Sequence, residues 1–170
     1  MKKTIWIALV ILIILSSCVV PGNSAGETTN ANEPVANTSK DYEQDTTAAR
    51  QVVEDHFKFL EQKDQEGVLS TLADWYKQSN IDFKFENQES IKVISIDLET
   101  DTKYAATYLK NGRGTVTGVS TLDLRVFRVI YDVEYKDDSI GVMPSGRYTW
   151  RFFVIRQNEQ GPWLIDDYGV

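Results

Sequence analysis

Two kinds of side chain in this sequence could handle protons: a lone histidine, His56, and a late pair of aspartates, Asp166 and Asp167. A proton-abstracting site needs such a base together with hydrogen-bond donors for the oxyanion that forms. Tyr131, Tyr135 and Tyr148 are donors of the right type, and with Trp150 they are also suited to line a pocket, being apolar in body and polar at the tip. His56 lies beside the apolar stripe of a helix, so it reads first as a core or boundary residue with one hydrogen bond. Asp166 and Asp167 are neighbours on a strand and project to opposite faces, which rules out a carboxylate pair but lets one of them enter a pocket. Asp167 shares the parity of Trp163 and Ile165, and Asp166 that of Leu164 and Tyr168. Which face is inside stays open in so short and doubly apolar a strand.

Other constellations dissolve. Asp97, Glu99 and Asp101 have the first spacings of a calcium loop, but Thr102 replaces its glycine and Tyr108 its closing glutamate. Gly112, Gly114 and Gly118 miss the G-x-G-x-x-G spacing and precede a strand, not the helix start that phosphate binding requires. No zinc cluster and no Ser-His-Asp arrangement is supported by spacing. Neither a metal nor a cofactor is expected.

The remaining reactive residue is Cys18, the single cysteine of the 170. Lys2 and Lys3 lead into an apolar run over residues 5–15, the layout of a secretory signal. A bilayer-spanning helix needs about 20 apolar residues, so this run is too short to be a permanent anchor. The sequence Leu15-Ser16-Ser17-Cys18 resembles the lipobox of bacterial lipoproteins, which implies that the Cys18 sulfur receives a diacylglyceryl group and that the chain is then cleaved before Cys18. Residues 1–17 are then a signal peptide, residues 18–45 a lipid-anchored flexible linker and residues 46–170 a folded domain. The expected location is the outer side of the cell membrane. At about 0.8 kcal/mol for each buried methylene, two acyl chains hold a protein there firmly.

Charge agrees with an anchor made of lipid. Without residues 1–17 the chain loses two of its 18 basic side chains and keeps all 25 acidic ones, for a formal charge of −9. That excludes nucleic acid as a partner, since it demands clustered Lys and Arg, and anionic lipid would repel the domain. Residues 19–45 are rich in Asn, Thr, Ser, Gly, Glu and Ala, a composition that cannot build a core. As a flexible chain they would reach roughly 30 Å.

The elements that must position the candidate residues come in a definite order, helices first. Ala49, Val53, Phe57 and Leu60 recur at helical spacing behind a cap at Thr46 or Thr47, and Asp64 caps a second helix carrying Val68, Leu69, Leu72 and Trp75. Ile81, Phe83 and Phe85 alternate with polar residues as a strand does. A further strand carries Ile91, Val93 and, after a slip, Ile96 and Leu98. Residues 104–110 are ambiguous, and residues 111–118 read as a loop. Phe127, Val129, Tyr131, Val133 and Tyr135 share one face of a long strand. The next strand matches them with Tyr148, Trp150, Phe152 and Val154, placing Arg147 and Arg151 opposite or diagonal to Asp132 and Glu134. A last strand, residues 163–168, follows the Gly161-Pro162 turn. The order predicts an α+β domain with the helices on one face of a strongly curved antiparallel sheet.

The closing runs Tyr148-Thr149-Trp150-Arg151-Phe152-Phe153-Val154-Ile155-Arg156 and Gly161-Pro162-Trp163-Leu164-Ile165-Asp166-Asp167-Tyr168-Gly169 resemble the final hairpin of nuclear transport factor 2-like domains. More narrowly, they are similar to an uncharacterised family of lipoproteins from Gram-positive bacteria. The resemblance implies a cone-like half-barrel with a pocket between helices and sheet, lined here by His56, Tyr131, Tyr135, Tyr148, Trp150 and Asp167. The superfamily hosts isomerases, dehydratases and binding modules alike, so fold does not give function. The first reading is a non-catalytic module for a small apolar or amphipathic ligand, a peptide or another envelope protein. The alternative is an isomerase- or dehydratase-like enzyme with an Asp base and Tyr donors in the cone. Superfamily analogy adds a homodimer through the outer sheet face, where Asp132, Glu134, Arg147 and Arg151 lie.

Overall fold

The computed structural model describes residues 35–141 and 143–169. Cys18, the expected signal and most of the expected linker lie outside the described residues.

Helix α1, Val35–Gln62, begins well before the expected cap. Thr46 and Thr47 sit inside it, donating their hydroxyls to the carbonyls of Tyr42 and Glu43 at 2.7 and 2.9 Å. Residues 35–45, assigned by composition to the flexible linker, are therefore helical, and tertiary contacts explain it. Arg156 donates to both carboxylate oxygens of Asp45 at 2.8 and 3.0 Å, and the Arg125 guanidinium lies 4.1 Å from the Tyr42 ring centroid. Such contacts override weak local propensity. The helix ends in a Schellman-type closure, with Lys63 N–H donating to Leu60 and Asp64 N–H to Phe59. Lys63 occupies the left-handed position, φ 55°, where glycine is usual.

Asp64 caps α2, Gln65–Ser70, accepting from the Gly67 N–H, and α3, Asp74–Lys77, follows as a separate short helix. A side chain at Gly67 would collide with Phe59 and Asp64, so close packing of α2 on α1 requires glycine there.

Residues 81–86 form no strand, contrary to the alternation. Ile81, Phe83 and Phe85 do pack against the core, so the alternation reports one-sided burial, but no ladder forms. Asp82 accepts from the Lys84 N–H at 3.0 Å and Lys84 adopts φ 54°, which turns the chain instead. Strand β1, Gln88–Leu98, carries a register shift between Val93 and Ser95, at the expected slip. The ambiguous segment is a helix, α4, Thr102–Asn111, capped by Asp101, whose carboxylate accepts from the Lys103 N–H. The expected loop contains α5, Gly114–Thr117. The acidic spacing that mimics a calcium loop thus ends in a helix cap.

Strands β2, Leu124–Tyr135, β3, Gly146–Arg156, and β4, Trp163–Gly169, complete an open antiparallel sheet of order β1-β2-β3-β4. Arg147 stands opposite Asp132 and grips it with two hydrogen bonds of 2.8 and 2.9 Å. Arg151 does not pair with Glu134. It faces Arg128 across the ladder and turns to Glu99 at 3.2 Å and to the Tyr104 ring at 4.0 Å. Residues 71–73 cover the outer edge of β4: Ile165 N–H donates to Thr71 and Ala73 N–H to Ile165, each at 2.9 Å, which protects an edge otherwise open to pairing.

Two cores result. Ala49, Val53 and Phe57 of α1, with Val68 and Leu72, pack on Val129, Tyr131, Val133, Phe152, Val154 and Ile165. On the opposite face, Leu124, Val126 and Ile155 pack under Tyr108 of α4. Helices therefore cover both faces at this end of the sheet, where the sequence pattern places them on one. Each fully buried Val, Leu or Phe contributes about 1.5–3 kcal/mol.

Candidate functional site

Where the α1 face leaves the far end of the sheet, the packing opens into a cavity of about 300 Å³. Phe57 and His56 of α1 form its roof, Tyr131, Val133 and Tyr135 of β2 and Trp150 and Phe152 of β3 its floor, and Tyr168 of β4 one side. Strand periodicity accounts for this lining, because these β2 and β3 residues share one sheet face. The rings hold one another in place. Phe57 lies 5.1 Å from Tyr131 and 5.4 Å from Phe152, while Tyr168 stacks on Phe152 at 5.4 Å and on Trp150 at 5.7 Å. Such pairs add about 0.5–1.5 kcal/mol each beyond area burial.

Two loops form the mouth. One is the segment with Ile81, Asp82, Phe83 and Lys84, and the other is the β2–β3 connection with Ile140, Gly141 and Met143. Asn87 ties them together, for its side chain donates to the carbonyls of Asp137 and Ile140 at 2.9 and 3.2 Å and accepts from the Asp137 N–H at 3.0 Å. Asn87 is only 5 % exposed. Ile140, in contrast, is an exposed large apolar residue at the rim.

His56 is the buried polar group of the roof, 3 % exposed. Its Nδ1 lies 2.7 Å from Thr71 Oγ1. Thr71 spends its hydroxyl proton on the Val68 carbonyl, also at 2.7 Å, so Thr71 can only accept from the imidazole and Nδ1 carries the proton. Burial lowers the His56 pKa to about 3, which keeps the ring neutral. Burial likewise raises the phenols of Tyr131, Tyr135 and Tyr168, so these remain hydroxyl groups. The charged side chains at the cavity, Asp82 and Lys84, sit exposed at the mouth and pair with each other. Hydrogen bonding to Lys84 lowers the Asp82 pKa.

Of the predicted residues, His56, Tyr131, Tyr135 and Trp150 meet around this cavity. Tyr148 lies one ring outward, 5.8 Å from Tyr131 and 6.3 Å from Trp150, with its hydroxyl donating to the Pro144 carbonyl at 2.6 Å. Asp167 does not contribute to the cavity wall. It is half-buried beside Asp166, and burial, followed by the Asp166 charge, pushes its carboxyl up against the opposing Tyr168 N–H bond and Arg113. A register shift between Phe153 and Val154 interrupts the β3–β4 ladder here, so strict alternation does not separate the two aspartates.

Asp166 belongs to a structural cluster. It is 1 % exposed, accepts from Tyr108 Oη at 2.6 Å, and accepts from Arg113 Nε and Nη2 at 3.1 and 3.3 Å. Arg113 in turn lies 3.9 Å from the Trp75 ring, whose Nε1 donates to the Asp166 carbonyl at 3.2 Å. Both carboxylate oxygens are engaged, which makes Asp166 a latch between α4–α5 and β4 on the face away from the cavity. Among the described residues no group of three or more His, Cys, Asp or Glu could hold a metal ion.

Gln88, Ile140 and Met143 join the wall without any sequence signal for it, and Phe57, Phe152 and Tyr168, which read as packing residues, line it too. Gln88 begins β1 at a polar position with no distinguishing spacing, whereas the aromatic residues of β2 and β3 already share the parity of the predicted floor.

The fold and cavity define a small α+β domain, three helices leading into a four-stranded open antiparallel sheet with two more between its first and second strands, and an aromatic-walled cavity at one end. The chain belongs to the family of the domain of unknown function DUF4829, whose model matches residues 50–169 and so includes every cavity residue. No curated protein matches the chain.

Proposed function

We propose that this chain is a lipoprotein held on the outer side of the cell membrane by lipid on Cys18, and that its domain, of the nuclear transport factor 2-like kind, is a non-catalytic binding module for a small apolar or amphipathic molecule. The observation that carries the binding reading is the cavity of about 300 Å³ walled by Phe57, Tyr131, Tyr135, Trp150, Phe152 and Tyr168. That volume is at the lower end of small-molecule sites, which are mostly apolar with a few placed polar groups. The anchoring reading is supported by the signal-like first 17 residues and the lipobox-like Leu15-Ser16-Ser17-Cys18. Among the described residues no helix is long and apolar enough to cross a membrane.

An Asp-based enzyme has less to stand on. The cavity's carboxylate, Asp82, is exposed and held ionised by Lys84, the opposite of the desolvated base such chemistry uses. Association through the outer sheet face is also less favoured, since Asp132–Arg147, Asp97–Arg128 and Glu99–Arg151 already pair within the chain.

Native mass spectrometry of the full chain purified from membranes tests the binding module. A co-purifying small molecule that leaves when Trp150 is replaced, as Trp150→Ala, supports it. A chain that carries no ligand and whose tryptophan emission does not respond to apolar probes at saturation refutes it.

A further inference from the structure

The cavity wall is uneven in its hydrogen bonding, and that unevenness selects a ligand class. With its proton on Nδ1 and given to Thr71, His56 leaves Nε2 as a bare acceptor. Gln88, 5 % exposed and also in the cavity wall, has its amide fixed in the same sense. Its Nε2 donates to the Leu60 carbonyl at 2.8 Å. A carbonyl can only accept, so the other terminus is the amide oxygen, Oε1.

Among the described residues neither His56 Nε2 nor Gln88 Oε1 hydrogen-bonds to another group of the chain. Nor are they among the sealed unpaired atoms, which are Ser95 Oγ and Thr117 Oγ1. Both residues border the cavity and are otherwise enclosed, so the cavity is where these acceptors can meet a partner. The hydroxyls of Tyr131, Tyr135 and Tyr168 rotate to donate or accept and impose no preference, which leaves the two fixed acceptors to set it. A ligand that covers these acceptors without bringing a donor leaves them buried and unpaired at a cost of about 1–3 kcal/mol, a penalty that a donor-bearing ligand avoids.

We propose that the cavity takes an uncharged, apolar, aromatic molecule bearing a hydroxyl or N–H donor, and that His56 Nε2 and Gln88 Oε1 receive that donor as the specificity-determining contacts. This rests on the binding reading above. A carboxylate ligand is rejected, because the enclosed part of the wall offers it no cation and two acceptors would face its oxygens. An aromatic body follows from the ring-lined wall, where Tyr168, stacked with Trp150 and Phe152, offers ring faces and edges for contact.

The test uses the full chain and three probes that share a naphthalene body: 1-naphthol, 1-methoxynaphthalene and 1-naphthoate, titrated against tryptophan emission and checked by calorimetry. The expected result is about tenfold tighter binding of 1-naphthol than of 1-methoxynaphthalene, and no saturable binding of 1-naphthoate. In His56→Phe the methoxy compound should keep its affinity while the preference for naphthol falls severalfold toward parity. Gln88→Leu should reduce the same preference independently of His56, so the inference survives a failure of either variant to fold. Equal affinity of naphthol and methoxynaphthalene for the unaltered chain overturns the donor rule and leaves the cavity reading standing. Absence of binding by both overturns the binding reading itself.

Discussion

Acidification should destabilise this domain through one residue above all. His56 is 3 % exposed and held neutral, its pKa lowered from 6.5 to about 3 by burial alone. Between these two values the unfolded chain binds a proton that the folded chain refuses, so stability falls as pH falls through the window from 6.5 toward 3. Each pH unit below 6.5 costs about 1.4 kcal/mol, or about 2.5 kcal/mol between neutrality and pH 4.5. The acidic side chains with lowered pKa, such as Glu99 and Asp101, lose their contribution only below the ordinary carboxylate range. Asp167, pushed up, acts in the opposite direction and gains protons in the folded state. Comparison with His56→Gln isolates the imidazole: the amide can still donate to Thr71 but does not titrate. In urea titrations at pH 7, 6, 5 and 4.5, the midpoint of the unaltered chain should fall by roughly 1–2 M more than that of the variant. Parallel curves for the two proteins would refute a buried neutral His56, and with it the assignment of Nε2 as a free acceptor.

Three further outcomes are expected. Asp166→Ala leaves Tyr108 and Arg113 without their carboxylate and should cost about 3 kcal/mol in the same urea assay, because breaking a buried pair strands its partners. Asn87→Ala removes three hydrogen bonds between the cavity loops; hydrogen exchange should accelerate over residues 136–141 while α1 stays protected, with a loss of about 2 kcal/mol. Cys18→Ser should release an intact, folded domain into the soluble extracytoplasmic fraction, and retention of that variant in membranes would overturn the lipid anchor.

The sheet is readable from the sequence because its signals are local and strong. Phe127 to Tyr135 and Tyr148 to Val154 alternate with one apolar exception each, Ile130 and Phe153, and pairing Val129 with Trp150 and Asp132 with Arg147 follows once the apolar faces align. The same alternation misleads at Ile81, Phe83 and Phe85, where one-sided burial occurs without a ladder. Composition misleads in the other direction at residues 35–45. Those residues are polar and cannot build a core, yet Asp45 reaches Arg156, 111 positions away in sequence, and Tyr42 reaches Arg125. No window of neighbouring residues contains such partners.

The site divides along the same physical line. The aromatic wall is legible because strand parity alone groups Tyr131, Tyr135 and Trp150 on one face. The roles of the titratable residues are not, since each depends on a partner from another element. Thr71, 15 positions on, decides which imidazole nitrogen of His56 is free. Leu60 decides which end of Gln88 faces its backbone partner. At Asp166 the register shift between β3 and β4 defeats parity altogether, and Tyr108 and Arg113, from α4 and the start of α5, take the carboxylate for the fold. The paired aspartates, which by residue type are the first candidates for a catalytic base, are thus the ones the tertiary structure withdraws from the cavity. What remains in its enclosed part to act on a ligand is neutral: rings for contact, hydroxyls that adapt, and two fixed acceptors that discriminate.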